Sequence, residues 1–191
     1  KPGIVFVTGA SDDGDGHINN HAGGMLAAGE TRTIDVQKVA AGTLDVDLWY
    51  AESDRFSVRV ITPAGTYGPY AAPTGPGLSA TETATDFTYY HLGRDVDFPQ
   101  STNQKRQIFV RITGAPGLYQ IELTGTTVVN GRFDAALSPS TYADGNPVNH
   151  FNNFAVEGTI WEMAAAQYNI CPNSYINWKT YTDIDGLTRT V

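Results

Sequence analysis

Apolar and polar residues alternate along most of this chain. "TLDVDLWY" (Thr43–Tyr50) sends Leu44, Val46 and Leu48 one way and Asp45, Asp47 and Trp49 the other, the period-two pattern of a half-buried strand. "RFSVRVI" repeats it, with Phe56, Val58 and Val60 opposite Arg55, Ser57 and Arg59. The short "AESD" between them predicts a hairpin with Leu48 against Phe56, Val46 against Val58 and Leu44 against Val60. Asp45 then falls opposite Arg59, and a one-residue slip sets Asp47 against Val58, so this register is preferred. "QIFVRIT" and "LYQIELTG" predict a second hairpin around "GAPG" (Gly114–Gly117). Ile108, Val110 and Ile112 face inward with Tyr119, Ile121 and Leu123, and Ile112 pairs with Tyr119.

Elsewhere, Ile4–Val7 is a continuous β-prone run, and Met25–Val39 is extended with Ile34 and Val36 on one face. "PAGTYGPYAAPTGPG" (Pro63–Gly77) reads as a loop by its Gly and Pro content. "ATDFTYYHLG" and "RFDAAL" each add a strand. "GTIWEMAAAQYN" (Gly158–Asn169) is the one helix candidate, with Thr159 and Glu162 spaced as a capping box. "SYINW" and "YTDIDGLTRT" read as strand, turn and strand, with Asp185-Gly186 in the corner. The expected class is mainly β, an antiparallel β-sandwich of jelly-roll type with one short helix near the C-terminus.

Composition narrows the function. The 191 residues suit one domain, and 41 % apolar residues suffice for a core. A net charge of −8 disfavours a phosphate backbone as partner, so no nucleic acid is expected. No apolar run approaches the length of a membrane span. The single cysteine, Cys171, precludes an internal disulfide or a zinc–cysteine cluster, and beside Pro172 it reads as a small buried hydrophobe. No signal peptide is evident, and the chain opens at Lys1 without an initiator Met, as a processed piece of a longer protein would.

"SDDGDGHINNH" (Ser11–His21) offers the strongest candidate chemistry. Asp12, Asp13 and Asp15 can supply hard oxygen ligands to a structural calcium, with Asn19 or backbone carbonyls completing the shell, although EF-hand spacing is missing. The bland reading is a solvated Gly/Asp turn. "TDIDG" (Thr182–Gly186) is a weaker calcium candidate. His17, His21, His91 and His150 lack the arrangement that converges on zinc. Trp49, Asp45 and Asp47 share a wet strand face and, with Tyr67, Tyr70, Tyr89 and Tyr90, suggest a platform for polysaccharide. Aromatic rings would stack on pyranoses while carboxylates take hydroxyls. The bland reading of the same residues is packing. From these residues alone a jelly-roll carbohydrate-binding module is one reading of the chain.

The ends bring in another. "GIVFVTGASDDGDG" is similar to the strand and turn "vvvaAGN-x-G" of subtilisin-like serine proteases, where the turn Asn donates to the oxyanion. "GTIWEMAAAQYNICPNSYIN" resembles the later family segment "gti-x-pAtAknvItVGAy". Many larger bacterial members carry an inserted jelly-roll sandwich between such segments, and "LDVDLWYAESDRFSVRVITPAG" with "IFVRITGAPGLYQIELTG" looks like that insert. The resemblance implies one β-sandwich domain over 1–191, in which 1–20 and 157–191 are similar to protease-core edges around a sandwich at about 30–156. It also implies an extracellular, secreted bacterial protein. Its partners would be the rest of a parent protease chain or a polypeptide substrate.

The departures are as informative. The family's "D-[ST]-G", "H-G-T-H" and "G-T-S-M-A" motifs do not occur in these 191 residues. Asp12 stands where the family has its oxyanion Asn, and a carboxylate there repels the developing negative charge. A triad works as a unit, so the piece is expected to be non-catalytic by itself.

Overall fold

The computed structural model describes residues 6–7, 19–94, 96, 104–138, 149–154, 169–170, 180–182 and 188–190. The chain divides into two units, Lys1–Asp12 with Thr159–Val191, and Asp13–Gly158.

In the first unit, β1 (Phe6–Val7) pairs in parallel with β13 (Asn169–Ile170), and β14 (Thr180–Thr182) pairs antiparallel with β15 (Thr188–Thr190). The strand read at Ile4–Val7 is therefore present at its end, and the segments flanking "DIDGL" form the expected antiparallel pair. The helix expected over Gly158–Asn169 lies outside the described residues except Asn169, which is in a strand.

The second unit is a sandwich of two antiparallel sheets. Its strands are β2 (His21–Met25), β3 (Thr31–Lys38), β4 (Leu44–Ala51), β5 (Arg55–Thr62), β6 (Gly65–Tyr70), β7 (Ser79–Thr83), β8 (Phe87–Leu92), β9 (Lys105–Ile112), β10 (Gly117–Thr127), β11 (Arg132–Ser138) and β12 (His150–Phe151). One sheet has the order β12-β3-β10-β5-β6 and the other β2-β11-β4-β9-β8-β7. From β3 to β5, and again from β9 to β11, each successive strand crosses to the opposite sheet, which is the jelly-roll habit. Inward residues of both sheets meet in one core: Ile34 and Val36, Leu44 to Tyr50, Phe56 to Val60, Ile108 to Ile112 and Tyr119 to Leu123, at alternate positions and at most 1 % exposed. Each such aliphatic or aromatic side chain contributes about 1.5–3 kcal/mol by leaving water.

Both expected hairpins are overturned. β4 pairs with β9 and β11, whereas β5 pairs with β10 and β6. Asp45 consequently sits opposite Arg111, and Arg59 opposite Glu122. β9 and β10 likewise lie in different sheets. The inward faces were read correctly. Alternation, however, is satisfied equally by neighbours within a sheet and by strands facing each other across a core.

The turn between β4 and β5 shows why it arches over. Asp54 is fully buried and accepts backbone N–H bonds from Val129, Asn130 and Gly131 at 2.7, 2.9 and 2.7 Å. Burial opposes its charge, but these donors and the Ser53 hydroxyl prevail and hold the carboxyl below its ordinary value. Gly131 has φ of 80°, and a Cβ there would strike the Leu26 carbonyl.

The loop expected over Pro63–Gly77 contains a strand, β6. Val58 pairs with Tyr70 and Val60 with Tyr67, so β6 carries one extra residue at Gly68–Pro69. That bulge turns both tyrosines towards the core. It also requires glycine, because Gly68 has φ of 94° and a Cβ would lie 2.7 Å from the Val58 carbonyl oxygen.

Candidate functional site on the outer sheet face

The outer face of the six-stranded sheet brings together most of the non-core chemistry. Asp45, Asp47 and Trp49 project from β4, opposite Arg111, Phe109 and Gln107 of β9. Beyond β9, Tyr90 of β8 lies opposite Phe109, and Thr81 of β7 opposite Tyr90. Strand alternation puts all of them on one side.

Here a depression of about 510 Å³ is lined by Ser79, Thr81, Tyr90, Leu92, Val96, Gln107, Phe109 and Arg111. The Tyr90 and Phe109 rings are 6.0 Å apart at 57°, and the Arg111 guanidinium lies 5.5 Å from the Phe109 centroid. Asp45 grips Arg111 through two bonds of 2.9 Å, and Asp47 accepts the Gln107 amide at 2.8 Å. Both aspartates therefore position lining residues. The Arg111 charge is neutralised, while the Gln107 Oε1 is sealed from solvent with no hydrogen-bond partner among the described residues.

The structure separates the aromatic residues expected to act together. Trp49 and Tyr90 are on the outer face, half-buried. Tyr89 is fully buried and faces the core, where Tyr70 stacks on it at 4.8 Å. Tyr67 packs edge-on against Phe87 at 5.1 Å. Tyr67, Tyr70 and Tyr89 are thus inner-face residues and do not belong to the platform. The reading of the wet face missed Phe109, Gln107 and Thr81, although "QIFVRIT" placed Gln107 and Phe109 opposite Ile108 and Val110 by alternation. What it lacked was the β4–β9 pairing.

Among the described histidines, His91 belongs to the core. His91 is fully buried, with Nε2 bonded to the Tyr50 hydroxyl at 2.5 Å and Nδ1 to the Tyr89 hydroxyl at 2.8 Å. Burial, with the Arg106 and Arg55 charges, pushes its pKa down to about 3, so it is a neutral core group. His21 lies on β2 and His150 on β12, in different sheets. Among the described residues no three His, Cys, Asp or Glu side chains are grouped to hold a metal ion. The calcium candidates Asp12, Asp13 and Asp15, and His17, lie outside the described residues, as does the "DIDG" corner.

No family model matches the sequence. No curated protein matches it either. Among solved structures, the chain is similar to the CspB protease of Clostridium perfringens, with 18 % identity and a TM-score of 0.58 over 78 % of this chain and 30 % of that one. At this identity the likeness is one of fold, and the chain spans about a third of that protease's length. The architecture over most of this chain is therefore one that also occurs as part of a larger protease.

Proposed function

We propose that this chain is the non-catalytic β-sandwich accessory region of a secreted subtilisin-like serine protease, which shapes access to a catalytic centre built elsewhere or holds substrate beside it. The observation that carries this reading is the match of most of the chain to a minor part of a protease. The parallel pairing of β1 with β13 supports it. Parallel neighbours need a crossover between them, and here the intervening sequence is the sandwich unit itself. A sandwich inserted between two strands of a parallel sheet has this connectivity. The absence of the three triad motifs from the 191 residues, and Asp12 at the resembled oxyanion position, support a role without hydrolysis of its own.

Sequencing the coding region on both sides of this segment tests the proposal. Asp, His and Ser motifs of the subtilisin type are expected to flank it in one reading frame. Flanks of a glycosidase or of an unrelated protein would overturn it. Given those flanks, removal of the sandwich from the parent is expected to alter preference among protein substrates more than the turnover of a small chromogenic peptide.

A further inference from the structure

The depression on the outer sheet face has the chemistry of a ligand site, independently of the protease reading. Its floor carries two aromatic rings, Tyr90 and Phe109, set at an angle. The one cation among its described lining residues, Arg111, is already paired with Asp45, so these residues offer little net charge to an anion. The Gln107 amide nitrogen is committed to Asp47, which fixes this wall of the hollow. Exposed Ser79 and Thr81 also line it. A volume of about 510 Å³ falls within the range of small-molecule sites.

We propose that this depression binds a neutral pyranose ring, with Tyr90 and Phe109 taking the apolar face of the sugar and exposed Ser79 and Thr81 meeting its hydroxyls. With Arg111 held by Asp45, the described lining offers no uncompensated cation to the carboxylate of an acidic sugar. Asp45 and Asp47 serve as positioning residues. They hold Arg111 and Gln107 in place and do not themselves touch the sugar.

The test is native affinity electrophoresis of the 191-residue chain in gels containing hydroxyethylcellulose, xylan, galactomannan, mixed-linkage β-glucan or soluble starch, with polygalacturonate as the acidic comparison. A parallel arm measures retention on an immobilised glycoprotein bearing neutral glycans. Retardation by a neutral polysaccharide supports the site with a polysaccharide as its source, and retention on the glycoprotein alone supports it with a protein-linked glycan. In either arm Tyr90→Ala and Phe109→Ala are expected to weaken binding about tenfold. Glu122→Gln, on the other sheet, is expected to leave it unchanged. Tyr90→Leu and Phe109→Leu keep much of the bulk of the side chain and serve where an alanine variant fails to fold by circular dichroism. Failure of every neutral probe, binding of polygalacturonate alone, or undiminished binding by folded Tyr90 and Phe109 variants would each overturn the proposal.

Discussion

Tyr89 and Tyr90 are neighbours in the chain and lie on opposite faces of the same sheet. Tyr89 is fully buried, with its hydroxyl on His91 and its ring against Tyr70. Tyr90 is half-buried beside Phe109 at the depression. On the inner face Tyr50 and Tyr89 take both nitrogens of His91. Fully buried Arg106 reaches Glu52 at 2.9 Å and the Pro73 carbonyl at 2.9 Å. The outer face instead holds a hollow walled by Tyr90 and Phe109. Polar groups bonded to one another in a low-dielectric core specify one packing arrangement, whereas aromatic surface lining a hollow is available for recognition.

The difference can be broken most directly by alanine at each tyrosine. Tyr89→Ala is expected to cost about 3–5 kcal/mol in urea unfolding, through the cavity left and the stranded His91 nitrogen, whereas Tyr90→Ala costs less than about 1 kcal/mol. Equal losses would mean that the two faces are not distinct. Next in size, Asp54→Ala strands three backbone donors at the β4–β5 arch and is expected to cost about 3 kcal/mol by the same measurement.

Acid sharpens the contrast further. The folded pKa of His91, about 3, lies below that of an unfolded imidazole, so between the two the unfolded chain binds the extra proton. Stability present above about pH 6.5 is then lost on acidification at up to ~1.4 kcal/mol per pH unit, or about 2 kcal/mol by pH 5. Urea midpoints at pH 7 and pH 5 check this. His91→Phe is expected to be weaker at pH 7, since it strands the two tyrosine hydroxyls, but to lose most of this pH dependence.

The smallest effect addresses the register of the outer face. A double-mutant cycle on Asp45 and Arg111 is expected to return about 0.5 kcal/mol of coupling, and one on Asp45 and Arg59 none. Coupling in the second cycle would restore the β4–β5 hairpin that the structure replaces.

Much of the fold is legible in the sequence, because alternation is local. The inward positions of β3, β4, β5, β9 and β10 follow from the pattern alone. β6 was obscured because its Gly68–Pro69 bulge breaks the period and looks like a loop. At the candidate site, alternation alone puts Trp49, Asp45 and Asp47 on one face, but Phe109, Gln107 and Tyr90 join them only through the β4–β9 and β8–β9 ladders.

The sequence by itself determined which side chains leave water and where most of the strands run, since burial of alternate residues is a property of each segment. Only the tertiary structure decided the partners. Two short turns, at Glu52–Asp54 and Thr113–Pro116, carry the chain across the core instead of back along the same sheet. An apolar face is equally satisfied by a neighbour in its own sheet and by one across the core. At the first turn the buried Asp54 ties the arch to backbone donors some 75 residues downstream, a contact that no local pattern contains.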